Sequence, residues 1–334
     1  MVSSSSWSGT PLRRAVAIRA LLILFFIWIL WIVTGTDSPL LYTIANDGRS
    51  MLENRQGDRP LILYAYAESE VARKNLDFFV QKGLHGKADF IFIFNGPTNA
   101  TAMIPQEPNI RIVERENKCF DLGGMGEVLK TDDLWKKYKK FITMNASLRG
   151  PFYPAWVENG CWTDRFLERI TDTVKLVGLT MNCQPRPHVQ SMIWATDDVG
   201  MAILLDPTTG EKFGQNDDFG ATQDGLGLST CYGTIRKAMH GEIGTTAAIW
   251  GHGYGVDVLM ASFQPVQHRH NTTAYCAKMG GEDPWYEGKY YGGTVHPYET
   301  IFTKANRGIM ADFMDQFTDW HLKRDYNSWD MCGR

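Results

Sequence analysis

Three Asp-Asp pairs could do chemistry in this chain: Asp132-Asp133, Asp197-Asp198 and Asp217-Asp218. Hard divalent cations such as Mg²⁺ or Mn²⁺ want oxygen ligands. A carboxylate pair at the end of a buried strand can hold such an ion against an anionic ligand. Asp197 and Asp198 follow the apolar run Met192–Ala195 and are the pair best placed for a metal. The ordinary alternative is a solvated loop pair or a helix cap. Asp132-Asp133 stands where a helix should begin, and carboxylates there partner the helix dipole. Asp217-Asp218 lies in a polar loop.

Other groups offer less. His296-Pro297-Tyr298-Glu299 precedes Ile301-Phe302, then Lys304 and Arg307; a late His and Lys could close over a diphosphate, or be structural. His268 and His270 could bind metal if they lay on a strand, although a surface loop is the simpler reading. Gly251-His252-Gly253-Tyr254-Gly255 reads as turn punctuation. Gly123, Gly124 and Gly126 read as a tight turn after a strand, where backbone N–H groups could approach a phosphate. There is no G-x-S-x-G elbow, no H-E-x-x-H, no P-loop and no dinucleotide fingerprint.

The elements that must position these groups alternate. Leu61–Ala67, Ala88–Phe94, Ile110–Val113 and Phe141–Met144 are short apolar runs of the kind buried on both faces of a sheet. Between the first two, Ser69 caps a helix to about Lys82, with Leu76, Phe79 and Val80 on one face and Gly83 as its stop. The glycine turn leads into a helix carrying Val128 and Leu129, and Asp132–Lys139 is helical. The later chain predicts helices over Trp162–Ile170, within Glu242–Met260 and over Arg307–Lys323. It predicts strands at Leu176–Met181 and Met192–Ala195, and a long loop over Asp206–Gly227. Strands alternating with helices indicate an α/β fold with a mostly parallel, Rossmann-type sheet flanked by helices. Such sheets bind ligands beyond the carboxyl ends of their strands. Those ends are Glu68, Asn95, the segment Arg115–Asp121 and Asn145.

The chain has 334 residues and a net charge of −3, which gives no electrostatic case for nucleic acid as a partner. Its eleven Trp and thirteen Tyr suit a large core, and aromatics also line carbohydrate and nucleotide sites. Arg13 and Arg14 precede Ala15–Val33, whose apolar part reaches spanning length only by including Arg19, which can snorkel. The reading is a cytoplasmic tail over 1–14, a signal anchor over 15–33, a polar stem over 34–59 and a lumenal domain over 60–334. A cleaved signal peptide is the rival, since Val33-Thr34-Gly35 is a passable cleavage site. A lumenal domain faces oxidising conditions. The six Cys, at 119, 161, 183, 231, 276 and 332, contain no C-x-x-C. One to three disulfides are expected, with fifteen full pairings open. Sequons stand at Asn99, Asn145 and Asn271, the second at the end of an apolar strand.

Several motifs in order carry a resemblance. They are Leu63-Tyr64-Ala65-Tyr66 before Asn75-Leu76; Arg115-Glu116-Asn117 with Cys119-Phe120-Asp121-Leu122-Gly123; Phe141 through Ser147 with Gly150-Pro151; Val189-Gln190-Ser191-Met192; Glu242-Ile243-Gly244; and His296-Pro297 with Glu299, Phe302 and Lys304. Over roughly residues 60–310 the chain resembles the rhamnan synthesis protein F group of glycosyltransferases and its eukaryotic membrane-anchored relatives. The resemblance implies a GT-A-like fold on a Golgi or ER membrane, and transfer of a sugar from a nucleotide-sugar donor to a glycan or glycoconjugate acceptor. It implies that Tyr66 and Glu68 lie near the donor base, that Asn117 and Asp121 contact base or ribose, and that His296 closes the donor site. Glu242 matches an acidic position suited to a general base. Asn145 and Ser147 fall where related enzymes carry D-x-D. The group's N-D-S here reads N-A-S, so Mn²⁺ or Mg²⁺ would need another carboxylate, or Lys304, Arg307 and helix dipoles would neutralise the diphosphate. A catalytically inactive binding domain of the same fold is the alternative.

Overall fold

The computed structural model describes residues 59–157, 160–279 and 282–333. The expected tail, anchor at 15–33 and stem lie outside these residues, except Arg59. Among the described residues no helix is long and apolar enough to cross a membrane.

Eleven strands run in chain order: β1 Leu61–Ala67, β2 Asp89–Asn95, β3 Ile110–Arg115, β4 Lys140–Asn145, β5 Leu148–Arg149, β6 Val174–Gly178, β7 Met181–Asn182, β8 His188–Val189, β9 Ile193–Asp197, β10 Gly255–Val258 and β11 Thr303–Lys304. Seven of them form one sheet in the order β3-β2-β1-β4-β9-β6-β10. β1 pairs in parallel with β2 and β4, β2 with β3, and β6 with β10. β9 runs antiparallel to both neighbours. The sheet is therefore mostly parallel, as the alternating pattern predicts, with one reversed strand that the pattern does not predict.

β1 shows why the sheet sits between two layers. Side chains alternate across a strand. Leu61, Leu63 and Ala65 pack with Leu122, Met125, Leu129 and Ile249 on one face. Ile62, Tyr64 and Tyr66 pack with Leu76, Phe79, Trp162 and Phe302 on the other. The Glu70–Lys82 helix supplies much of the second layer. Ser69 caps it by accepting from the Ala72 N–H at 3.1 Å, and the Gly83 N–H closes it onto the Phe79 carbonyl. The Phe120–Lys130 and Ile235–Gly251 helices cover the first face.

Several local expectations are corrected. Gly123, Gly124 and Gly126 form no turn; they lie inside the Phe120–Lys130 helix. A Cβ on Gly126 would stand 2.0 Å from the Leu228 carbonyl oxygen, and one on Gly123 2.8 Å from that of Thr230. These glycines let the 228–231 segment lie against the helix, at the usual propensity cost of glycine in a helix. Asp132 and Asp133 both take left-handed backbone angles within the 3₁₀ stretch Thr131–Lys137 and start no α-helix. The helix expected within Glu242–Met260 begins earlier, at Ile235 behind its Thr234 cap, and ends at Gly251, leaving Gly255–Val258 as the edge strand β10. The glycine-rich link between them is a turn, with Gly253 at φ +83°.

All six cysteines are paired: Cys119 with Cys231, Cys161 with Cys332 and Cys183 with Cys276. Three disulfides are the upper end of the one to three expected of these cysteines.

Candidate functional site

The chain builds β1, β2 and β3 outward on one side, then returns to lay β4 on the other side of β1. Their carboxyl ends diverge at that switch point, where open α/β sheets bind ligands. A cavity of about 370 Å³ lies there. Asn95, Asn117, Phe120, Asp121, Asn145 and Ser147 supply most of its functional lining, and Asn306 closes one side.

On the β1 side, Tyr66 is fully buried and its hydroxyl donates to Glu68 at 3.0 Å; burial pushes this phenol up to about 12. Glu68 also accepts from Arg73 at 2.6 and 3.1 Å and from Thr98. The Arg73 guanidinium holds its carboxyl below the usual range. Glu68 is thus a bracket beside the cavity, with its oxygens committed to protein donors. Asn95 is similarly committed: its amide donates to the Tyr66 carbonyl at 3.2 Å and its oxygen accepts from Arg115 at 2.7 Å. Asn117 is exposed, and its side chain has no hydrogen-bond partner among the described residues.

On the β4 side, Asn145 donates to the Asp121 carboxylate at 2.5 Å and accepts from the Ser147 N–H and hydroxyl at 3.1 and 2.6 Å. Asp121 also accepts from the Leu122 N–H, yet burial still raises its pKa, with a further push from the Glu242 charge. The intervening turn is anchored from behind. Buried Asn75 donates to the Ala146 carbonyl at 2.8 Å and accepts from Arg149 at 2.8 Å. Arg149 in turn donates to Asp315 at 3.3 Å and Thr318 at 3.0 Å on the Ala311–Lys323 helix.

Lys304 comes to this corner through β11, which pairs antiparallel with β5 and places Lys304 opposite Leu148. The next residue, Ala305, donates its N–H to the Ser147 carbonyl at 2.9 Å. The Lys304 ammonium has no hydrogen-bond or ion-pair partner among the described residues. Burial lowers its pKa and Arg307 adds to that, while Glu242, Asp283 and Asp121 act in the opposite sense. Glu242 accepts from the Ser191 N–H at 2.6 Å. Asp283 is 8% exposed and pairs with Arg307 at 2.9 Å. Asp121, Glu242, Asp283 and Lys304 thus form one electrostatic group beside the cavity.

Two of the expected site features lie elsewhere. His296 is exposed and caps the short Pro297–Thr300 helix, accepting from the Tyr298 N–H at 3.1 Å. Its ring packs against Tyr298, Phe313 and Phe317, so it does not line the cavity. Asp197 and Asp198 sit at the opposite ends of the strands from the cavity. Because β9 is reversed, its last residue, Asp197, registers with Lys140, the first residue of β4. Asp197 caps the helix Asp198–Leu205 through the Gly200 N–H at 2.9 Å and takes Lys175 at 2.5 Å. Asp198 takes Lys139 at 2.6 Å. The pair is a helix start held by two lysines, and it cannot serve a ligand in the cavity.

The donor set at the cavity also fits a divalent cation poorly. Of the Asp121 and Asn145 side-chain oxygens, three accept from protein donors, and hard cations want about six oxygen ligands. Among the described residues, the sets of three acidic, His or Cys groups close enough to share an ion are His85 with Cys161 and Cys332, and Cys119 with Glu127 and Cys231. The cysteines of both sets are in disulfides.

Sequence reasoning missed Phe120, Asn306 and Asp283 as site groups. Phe120 had a signal, since it lies inside the strand-end segment between Arg115 and Asp121. Asp283 lies in a late loop and Asn306 in the 3₁₀ turn Ala305–Arg307, and neither carries a signal. No protein-family model matches the chain, and no curated protein matches it.

Proposed function

We propose that the chain is a glycosyltransferase of GT-A-like fold, moving a sugar from a nucleotide-sugar donor to a glycan or glycoconjugate acceptor on the lumenal side of a Golgi or ER membrane. The observation that carries this reading is an unpaired, half-buried ammonium, Lys304, beside the cavity at the sheet's switch point. A half-buried cation without a partner, already short of water, offers a place for an anion. A nucleoside diphosphate supplies that anion, and its base and ribose suit Asn117, Phe120 and Asp121.

In this reading no step runs through a metal. Glu242 takes the proton of the acceptor hydroxyl, whose oxygen attacks the anomeric carbon of the donor. The bond from that carbon to the diphosphate breaks, and its electron pair leaves with the diphosphate, where Lys304 stabilises the developing charge. Such a direct displacement inverts the anomeric centre. Tyr66, Glu68 and Asn95 hold the base end of the cavity in shape, and Asn145 and Ser147 hold the phosphate end.

Thermal-shift measurements with UDP, GDP, dTDP and CMP, each with and without Mn²⁺, test the donor site. A bound nucleotide at 100 times its Kd adds about 2.7 kcal/mol of stability. Stabilisation by one nucleotide without Mn²⁺ is the expected result. Stabilisation by none of them overturns the reading. It would leave the second one, an inactive glycan- or protein-binding domain, which the N-A-S turn without its carboxylate favours.

Glu242→Gln separates chemistry from binding. Glutamine keeps an oxygen to accept from the Ser191 N–H, so the fold should survive. Turnover should fall by about 10²–10⁴-fold, the usual share of a general base, with nucleotide affinity unchanged. Full activity would remove the base role.

A further inference from the structure

Of the three disulfides, one borders the cavity, and it is also the one with an exposed sulfur-bearing residue. Cys161 and Cys332 are each 2% exposed, and Cys183 is 7% exposed with Cys276 partly buried. Cys119 is buried, but Cys231 is exposed. Cys119 immediately precedes Phe120 and Asp121, which line the cavity.

The backbone at this point is unusual. Cys119 has φ +71° and Phe120 φ +55°, two successive non-glycine residues in the left-handed region. Each such residue costs on the order of 1–3 kcal/mol and persists only where its surroundings impose it. The imposing contacts converge from the 228–232 segment and from Arg115. Cys231 is bonded to Cys119 and Tyr232 bridges to it along the backbone, while Arg115 holds the preceding Lys118 carbonyl at 2.7 Å. The glycines of the 120–130 helix leave no side chain between helix and segment. The covalent bond is the one contact here that a small reagent can break without unfolding the sheet.

We propose that Cys119–Cys231 is a thiol–disulfide exchange site that sets the shape of the cavity. A dithiol is the co-reactant. Its thiolate attacks Sγ of exposed Cys231, the Sγ–Sγ bond breaks, and its electron pair leaves on Sγ of Cys119. The second thiol of the reagent closes onto the mixed disulfide and releases Cys231. The reagent is oxidised to its disulfide, and two protein thiols are formed. Cys119 and Phe120 then leave the left-handed region, and the first turn of the helix, with Asp121, loses its position against Asn145. This device goes beyond the reading of the cavity as a donor site, because it acts on the wall whatever ligand the cavity holds.

The test uses the full chain treated with graded dithiothreitol below the concentration that unfolds it. Alkylation of freed thiols and mass spectrometry identify the pair that opens first, and hydrogen exchange follows the backbone. The expected result is opening of Cys119–Cys231 ahead of the other two. Exchange in residues 120–126 should then rise at least about ten-fold, with β1, β2 and β4 unchanged. Neither readout needs a nucleotide, so failure here is distinct from failure of the donor-site reading. Opening of Cys161–Cys332 or Cys183–Cys276 first overturns the proposal. So does opening of Cys119–Cys231 with protection of 120–126 intact. A Cys119→Ser/Cys231→Ser chain, if it folds, must show the same loss of protection without reductant.

Discussion

In a Lys304→Met variant, affinity for the stabilising nucleoside diphosphate is expected to fall by roughly 10–100-fold, the range of one lost charge-assisted contact of about 1.5–3 kcal/mol. The ligand-free fold should change little, because the ammonium makes no hydrogen bond or ion pair among the described residues. The pH response sharpens the test. Burial holds the folded pKa of Lys304 below its ordinary value. The unfolded chain therefore keeps this proton more tightly, and this group makes the empty fold more stable as pH rises from the lowered pKa towards the ordinary one. Diphosphate binding needs the charged form, so affinity should decline as pH rises through the same window. Stability that rises with pH for the empty protein but stays flat for the loaded one, with the difference lost in Lys304→Met, is the expected pattern in thermal unfolding across this window. Parallel slopes, or a variant that binds as well as the parent, would remove Lys304 from the site.

The second large effect is on stability. Replacing Cys161 and Cys332 together by serine should lower unfolding free energy by about 2–5 kcal/mol. Urea denaturation at neutral pH reads it as a lower midpoint. This bridge spans 171 residues, the longest loop of the three, and longer loops remove more freedom from the unfolded chain. It also closes a packed corner. Trp162 follows Cys161 and packs on Phe79, Phe166 and Phe302, while Ser328 donates to the Lys82 carbonyl at 2.6 Å and Lys82 donates to the Arg324 and Tyr326 carbonyls. A loss under about 1 kcal/mol would mean that these contacts alone hold the corner, or that the denatured chain stays compact there.

The first half of the domain was legible because its signals are local. An apolar run such as Leu61–Ala67 is long enough for one strand, is bounded by polar residues, and is followed by a serine cap, so its limits were read correctly. Asn95, Asn117, Asp121 and Asn145 were found as strand ends or through the motifs around them, since the switch-point rule needs only strand order and direction. The direction of β9 defeated the same rule. Met192–Ala195 looks alike run either way, and the reversal is set by pairing with β4 and β6, which are remote in sequence. That reversal carries Asp197 and Asp198 away from the strand ends at the cavity and leaves them the helix-cap role that was the ordinary alternative. The glycines of the 120–130 helix were misread because a turn and a close helix–segment contact both call for a missing side chain. His296 lies in the right segment but faces an aromatic cluster with Phe313 and Phe317, and only tertiary packing distinguishes that from a site.

The tie from the Ala146 turn through Asn75 and Arg149 to Asp315 and Thr318 has a consequence for biosynthesis. Most of the cavity wall comes from residues 65–147, but Asn306 and the cation beside it arrive at residues 304–306, and the helix that braces Arg149 arrives later still. A chain still emerging, or one stopped early, carries the walls without the charge that gives them a use. Competence at this site is therefore granted last, and a folding checkpoint that inspects the C-terminal helices also inspects the site.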